Sequence, residues 1–261
     1  MKIIFVLSRL WRYLNIYFLK PFDAVNDTLT ASLLKEHNWS TPFVEVGSGD
    51  GMFGYIMHGG KFPLWFDRYV SVDLKKKDIF DTLNEKANLN LKKINNFKNL
   101  HSIDAKKSHV EKIKEIGFAE NAILSDYEKL PFEDNSFDSI FLYTPHGLKN
   151  YQLCVEECFR ILKSKGRLVV LNYDKSIEKN FLSYNLSKKF IGNWSNYFKS
   201  IDNGRFEEIT RLSKTLEDWN NFFNDIGFEV VHFNKGLSST AWKVYDIQTR
   251  PFLKILIKFF N

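Results

Sequence analysis

The sequence contains few cysteines, few prolines and no long hydrophobic run. Among its 261 residues are two cysteines and six prolines. Cys154 and Cys158 lie in one predicted helix, so the sequence indicates neither a disulfide framework nor a metal site. Charged residues interrupt every apolar run, and we therefore expect no membrane-spanning helix. The apolar run that follows Met1 ends at Arg9, too early for a secretory signal, so we expect a cytoplasmic protein.

Aromatic residues, by contrast, are abundant. The chain has 25 Phe, 11 Tyr and 6 Trp, and hydrophobic residues make up 44% of it, as in globular proteins. Its length suits one large α/β domain with a full core. The formal net charge of +6 is compatible with an anionic surface or substrate, although such charge is more often simply solvated.

The most informative stretch runs from Phe43 to Phe53. Its first residues form the short apolar run of a buried strand, and a short helical segment follows the stretch. Between them, Gly47, Gly49 and Gly51 open a turn in which the backbone can approach a ligand without a Cβ in the way. Strand, glycine turn and helix together are typical of the mouth of a doubly wound α/β sheet.

The glycines permit more than one reading. Residues 49–54 satisfy G-x-G-x-x-G, which in a nicotinamide-dependent oxidoreductase presents a helix N-terminus to a pyrophosphate. Glu45 and Asp50 argue against that reading, because carboxylates repel phosphate and attract cations. A tight turn that binds no ligand is another possible reading.

Two further segments end in an acidic residue. Residues 69–73 are predicted to form the second strand, and Asp73 lies 22 residues beyond Gly51. At that distance α/β nucleotide folds place the carboxylate that accepts both ribose hydroxyls, although a solvated aspartate at a strand end is also common. Residues 122–126 form another short predicted strand, which ends at Asp126.

The pattern Glu45-x-Gly47-x-Gly49-x-Gly51 resembles motif I of the class I S-adenosylmethionine (AdoMet) dependent methyltransferases. The block from Asp126 through Leu130-Pro131-Phe132 to Phe137-Asp138 is similar to that of the type 11, or ubiquinone-biosynthesis-like, family. The resemblance covers about residues 42–173. It implies AdoMet as cofactor, with these binding residues: Glu45, Gly47, Ser48, Gly49, Gly51, Asp73, Leu74, Asp126, Tyr127 and Tyr143.

In this fold the end of the fourth strand points at the transferred methyl group, and here the chain reads Tyr143-Thr144-Pro145-His146. It lacks the Asn/Asp-Pro-Pro-aromatic motif of amino-directed nucleic-acid methyltransferases, so we expect no nucleic-acid partner. His146 is the candidate general base, because neutral imidazole titrates near the working pH. A purely structural histidine is an equally open reading, and His58 and His232 are weaker candidates.

The expected architecture is a single Rossmann-like α/β domain with a seven-stranded, mostly parallel sheet and an antiparallel C-terminal strand. Residues 75–117 suggest outer helices with a loop at 95–108. Residues 228–233 and 240–247 are predicted to be the closing strands. The segments are a helical cap (1–40), an AdoMet-binding core (41–173), a helical lid (174–220), closing strands (221–250) and an amphipathic tail (251–261).

Helical spacing of aromatic and basic residues recurs at both ends of the chain, in residues 3–20 and 251–260. Such helices either pack on the domain and close its pocket or lie in a membrane interface, in which case the protein is peripheral at the inner face of a membrane. The second reading suits a small-molecule acceptor that is lipid-like or lipid-linked. A methyltransferase fold that binds without turnover is the alternative from another functional class.

Overall fold

The computed structural model describes residues 3–36, 39–64, 66–69, 72, 74–75, 91, 100–143, 148 and 150–260. The chain forms two compact units, of which one comprises Met1–Leu171 with Ile257–Asn261 and the other Asn172–Leu256. None of the described helices is long and apolar enough to cross a bilayer.

The first unit is built on a five-stranded parallel sheet in the order β3-β2-β1-β4-β5. Its central strand β1 is fully buried, as expected of a parallel strand covered on both faces. The strands are β1 (Phe43–Val46), β2 (Leu100–Asp104), β3 (Asn121–Leu124), β4 (Phe137–Leu142) and β5 (Leu162–Val170). The predicted strands at the glycine stretch, before Asp126, after Asp138 and after Gly166 are all present.

In the part of the first unit that the structure describes, these helices precede or connect the strands: α1 (Ile3–Ile16), α2 (Pro21–Glu36), α3 (Met52–Met57), α4 (Lys107–Ile116) and α5 (Tyr151–Ile161). Pro21 is the first residue of α2, a position where its missing N–H costs nothing. Asn150 accepts a hydrogen bond from the Leu153 N–H and so caps α5. Cys154 and Cys158 are buried free thiols on that helix.

The strand beside β1 differs from the prediction. It is β2, whose residues fall in the predicted loop at 95–108, whereas Tyr69 lies in a turn and Val72 has no regular structure. Val70, Ser71 and Asp73 lie outside the described residues. Residues 69–73 and residues 100–104 are both short, partly apolar segments that end in aspartate. What distinguishes them is pairing with β1, which a single sequence does not reveal.

The predicted closing strands are also wrong among the described residues. Residues 228–237 have no regular secondary structure, and 240–247 belong to the helix α10 (Ser239–Ile247). The Ser238 side chain accepts a hydrogen bond from the Ala241 N–H and begins that helix. Val, Tyr and Ile favour strands, but the cap and the surrounding packing decide here in favour of a helix. Among the described residues the sheet therefore has five strands, where seven were expected.

The second unit is otherwise helical, as predicted for residues 174–220, whose role as a lid stays a prediction. A small aromatic core forms where Ile177, Phe181 and Ile209 pack with Phe206 and Trp242. The elements before α10 are a 3₁₀-helix (Lys175–Asn180), α6 (Leu182–Lys189), α7 (Asn193–Asp202), α8 (Arg205–Arg211) and α9 (Leu216–Ile226). Another 3₁₀-helix (Arg250–Phe252) and α11 (Leu253–Phe260) follow it.

Candidate active site

The glycine turn leaves the carboxyl end of β1. The N–H groups of Gly47 and Ser48 both donate to the Ile103 carbonyl oxygen at 3.0 Å, which ties the turn to β2. Gly47, Gly49 and Gly51 have φ values of 77°, 60° and 79°, which L side chains rarely adopt. The predicted strand, glycine turn and helix are thus present as expected.

The two sides of this turn differ in their surroundings. A Cβ built on Gly49 would have no atom within 4 Å, so the backbone there is open to a ligand. A Cβ built on Gly51 would lie 2.8 Å from Ile113 Cγ1 and 2.9 Å from Phe118 Cε1. Gly51 therefore lets α4 pack closely behind the turn, while Gly49 leaves its front accessible.

Asp104, at the end of β2, holds the open side of the turn. Its Oδ2 accepts a hydrogen bond from the Gly49 N–H at 2.9 Å. Its Oδ1 accepts one from the Lys106 N–H at 2.9 Å and lies 3.0 Å from His109 Nδ1. The side chain is buried, so these partners compensate for its lost hydration. The sequence had not singled out this carboxylate.

Tyr127 lies beside Asp104. Its hydroxyl oxygen accepts a hydrogen bond from the Ala105 N–H at 3.0 Å, and the side chain is buried. Burial, and then the negative charge of Asp104, raise the pKa of Tyr127 above its ordinary value, so the phenol is neutral. The neighbouring Asp126 is exposed, and its Oδ1 accepts a hydrogen bond from the Glu128 N–H at 3.1 Å.

Tyr143 follows β4 on the other side of β1. Its N–H donates to the Val46 carbonyl oxygen at 3.0 Å, so the chain is still paired with β1 here. Its ring centroid lies 5.6 Å from that of Phe53, which stacks at 5.8 Å on Tyr13 of α1. Aromatic rings therefore line the region where β4 ends and α3 begins.

Two predicted binding residues direct their side chains into the protein. Glu45 is buried, with Oε1 3.1 Å from His58 Nε2, and its Oε2 would lie 2.6 Å from a Cβ on Gly54. The Ser48 hydroxyl donates to the carbonyl oxygen of Glu45 at 3.0 Å. Contact of either side chain with AdoMet stays a prediction.

The remaining predicted residues are placed only in part. Leu74 lies in a turn and is partly exposed. Asp73 and His146 lie outside the described residues, so their roles stay predictions. His232, in the second unit, has its Nε2 3.0 Å from Asn234 Oδ1 and is exposed.

A buried charged network, which the sequence analysis did not predict, adjoins the turn. Arg68 forms an ion pair with Asp50 of the turn and donates to the Tyr17 hydroxyl at 2.6 Å. The Tyr17 hydroxyl in turn donates to Asp27 Oδ2 at 2.8 Å. Burial raises the pKa of Asp27 to about 7, against the opposing effect of that hydrogen bond.

Asp27→Asn should make folding less dependent on pH. The Asp27 carboxyl group loses its proton near pH 3.8 in the unfolded chain but only near pH 7 in the folded one, so the parent loses stability as the pH rises between these values. At pH 8 the variant should have a free energy of unfolding higher by roughly 1–4 kcal/mol, because its amide oxygen still accepts from Tyr17 without a charge. Urea unfolding of both proteins at pH 4 and pH 8 measures this. An equal difference at both pH values would contradict it.

The sheet and the turn together identify the kind of site. The strand order changes direction between β1 and β4, and ligands of open α/β sheets bind outside the carboxyl ends of the strands at such a point. Here that point has an open glycine backbone at Gly49, a carboxylate at Asp104 and aromatic rings around Tyr143. The positive groups and ribose hydroxyls of AdoMet fit these partners. The fold is the Rossmann-like α/β fold that class I AdoMet-dependent methyltransferases have.

Comparisons with known proteins agree with this class. Residues 84–170 match the family model of the type 11 methyltransferase domain. The ubiquinone/menaquinone biosynthesis C-methyltransferase of Pasteurella multocida is 29% identical over 47% of this chain and 48% of its own. The enzyme of the same name from Pseudoalteromonas translucida is 32% identical over 46% of this chain and 50% of its own. These matches cover part of the chain and show its similarity to type 11 methyltransferase domains.

The extent of these matches is limited. The chain spans about half the length of the curated relatives it matches. Among solved structures, a SAM-dependent methyltransferase from Aquifex aeolicus covers 84% of this chain and 84% of its own at 15% identity, with a TM-score of 0.43.

Proposed function

We propose that this protein transfers a methyl group from AdoMet to a small, apolar acceptor that is lipid-like or lipid-linked. The observation that carries the proposal is the open glycine turn at the switch point, with Asp104 bonded to Gly49. Bound AdoMet supplies an electrophilic methyl group on a sulfonium. The protein's own contribution is then mainly to position the two reactants in a pocket that excludes water.

We assign Asp104, rather than Asp73, as the carboxylate for the ribose. Asp104 ends the strand that pairs with β1, and it lies at the turn. The family model covers residue 104 and begins after residue 73. An ionised carboxylate has about four acceptor positions. Gly49, Lys106, His109 and Tyr127 already contact this carboxylate, so a ribose hydroxyl would share or replace one of these contacts. Asp126 and Tyr127 are proposed to bind the adenine.

The geometry also supports AdoMet over a dinucleotide. A pyrophosphate at a glycine-rich turn relies on backbone N–H groups that point at it. Here the Gly49 N–H already donates to Asp104, and the carboxylate would repel a phosphate at the same place.

The acceptor class is inferred from two observations. The partly buried rings of Phe53 and Tyr143 lie near the end of β4, where they offer apolar surface to a flat molecule, and the buried ring of Tyr13 supports Phe53 from behind. Two relatives are named for ubiquinone and menaquinone biosynthesis. We propose an acceptor of similar apolar character.

Calorimetry with AdoMet and NAD tests the cofactor assignment, and incubation with labelled AdoMet and a lipid extract tests the transfer. We expect AdoMet to bind, NAD not to bind, and label to enter an extractable lipid-like product. Binding without transfer to any acceptor would favour the alternative of a methyltransferase fold that only binds. Absence of AdoMet binding would contradict the proposal.

We further propose that α1 and α11 hold the protein at a membrane. Leu7 and Trp11, one helical turn apart, are 56% and 64% exposed on the face of α1 opposite buried Tyr13. Phe18, just after α1, contacts Phe260 of α11 edge-to-face at 6.1 Å, so the two ends of the chain meet. Large apolar side chains are exposed on both helices.

The exposed positive charges of the proposed membrane-binding surface come from α11 rather than from α1. Arg12 donates to the Gly59 carbonyl oxygen at 3.0 Å and so is engaged with the protein. On α11, by contrast, Lys254 and Lys258 share the exposed face with Ile255 and Phe259, which is 81% exposed. Apolar side chains flanked by lysines suit the interface of an anionic bilayer.

Trp11→Ser combined with Phe259→Ser should abolish flotation with vesicles that contain phosphatidylserine, because it removes two large exposed apolar side chains from the proposed interface. Ile191 lies between α6 and α7 in the second unit and is 91% exposed. Ile191→Ser is therefore the matched control and should float like the parent. Sedimentation of the parent at low salt, or equal flotation of the double variant, would contradict membrane contact through these helices.

A further inference from the structure

Residues 59–64 and 66–69, which follow α3 in the chain, lie along α1. Arg12 donates to the Gly59 carbonyl oxygen and Asn15 to that of Pro63, while the Arg68 N–H donates to the Ile16 carbonyl oxygen at 3.0 Å. This segment is therefore fixed by α1 at several points along its length.

Asp67 tightens the same contact. One of its carboxylate oxygens accepts from the Leu19 N–H at 2.9 Å and the other from the Tyr69 N–H at 2.8 Å. Asp67 and Tyr69 are the two neighbours of Arg68 in the chain. Their hydrogen bonds therefore give the backbone of Arg68 a defined position relative to the end of α1. The guanidinium group is oriented as well, since it lies over the ring of Tyr17 at 5.1 Å.

The guanidinium group of Arg68 reaches the glycine turn through Asp50. Asp50 lies between Gly49 and Gly51, is buried, and accepts a hydrogen bond from the Met52 N–H at 3.2 Å at the start of α3. Although burial opposes ionisation, the charge of Arg68 and those of Lys112 and His109 hold the pKa of Asp50 below its ordinary value. Asp50 is therefore ionised at neutral pH, and the guanidinium group of Arg68 is the main compensation for its charge.

We propose that Arg68 is a positioning residue that acts through Asp50 to hold the glycine turn in the conformation that binds AdoMet. This proposal rests on the proposed function. The turn contains three glycines in left-handed conformations, so its backbone has alternatives that a side-chain anchor excludes. Asp104 anchors the turn from β2, and Asp50 with Arg68 anchors it from α1.

Arg68→Gln should weaken AdoMet binding by about 10- to 100-fold, because Asp50 is left as a buried carboxylate without its main counter-ion. Asp50→Asn should give a loss of similar size, and the two substitutions together should cost little more than either alone. Arg68→Lys should retain part of the affinity, since a lysine keeps the charge but lacks the planar fork. Calorimetry with AdoMet, well below each variant's melting temperature, measures these affinities.

Arg205→Gln is the matched control, because Arg205 pairs with buried Asp246 in the second unit. It should lower the melting temperature but leave AdoMet affinity within two-fold of the parent. If Arg68→Gln does not fold, Asp50→Asn and Arg68→Lys carry the test. Variants that bind like the parent, or a control that loses as much affinity, would overturn the positioning role. A parent that binds no AdoMet would instead contradict the proposed function.

Discussion

Asp104→Ala should weaken AdoMet binding by about 10- to 100-fold, the loss expected when a hydroxyl donor loses a charged acceptor. The substitution also removes the acceptor for the Gly49 N–H, so the turn loses its link to β2. Asp104→Asn should be milder, because its amide oxygen can still accept one of these hydrogen bonds. Calorimetry of the folded variants gives the affinities.

Asp73→Ala decides between the two candidate carboxylates. The assignment of the ribose to Asp104 requires that Asp73→Ala keep AdoMet affinity within about two-fold, well under the ~1.4 kcal/mol of a tenfold change. A large loss at Asp73 together with near-parental binding by Asp104→Ala would restore the assignment made from sequence spacing alone. The comparison is direct, because both variants remove an aspartate from the same unit.

Local sequence patterns were sufficient for several elements of the first unit. Apolar runs predicted β1 before the glycine turn, β3 before Asp126 and β4 around Asp138, and helical spacing predicted α5. The glycine turn was predictable for the same reason. Its conformation requires glycine at positions where other residues would be strained.

The position of the carboxylate that we propose for the ribose was not predictable in this way. Residues 69–73 and 100–104 have similar local patterns, and the spacing of Asp73 from the turn favoured residues 69–73 as the second strand, whereas residues 100–103 pair with β1. Strand pairing is a long-range property. One signal was available: Asp104 precedes Asp126 by 22 residues, with a helix and Gly117 between them, which is a complete strand–helix–strand unit.

The anchor at Arg68 could not have been inferred from the sequence at all. Arg68 and Asp50 are 18 residues apart, and nothing in their neighbourhoods marks them as partners. Their contact depends on the hydrogen bonds that hold residues 59–64 and 66–69 against α1. The helix α10 illustrates the opposite error, since its residues favour a strand locally while a serine cap begins a helix.

His146→Ala tests the proposed general base, which is assigned from sequence and lies outside the described residues. Tyr143, at the end of β4, contacts Phe53 beside the turn, and His146 follows three residues later. Neutral imidazole titrates near pH 6.5, which suits removal of a proton from an acceptor at neutral pH.

Without this base the turnover number should fall by roughly 10²–10⁴, while AdoMet affinity stays within about two-fold. The parent's rate should rise with pH through the histidine pKa, and the variant should lack that rise. His232→Ala, which changes an exposed histidine of the second unit, should behave like the parent in the labelled-AdoMet assay. A His146 variant that turns over within a few-fold of the parent would show that the acceptor needs no base from this residue. Positioning by the turn, Asp104 and the aromatic rings would then account for catalysis, since attack on a sulfonium methyl requires a base only when the nucleophile must lose a proton.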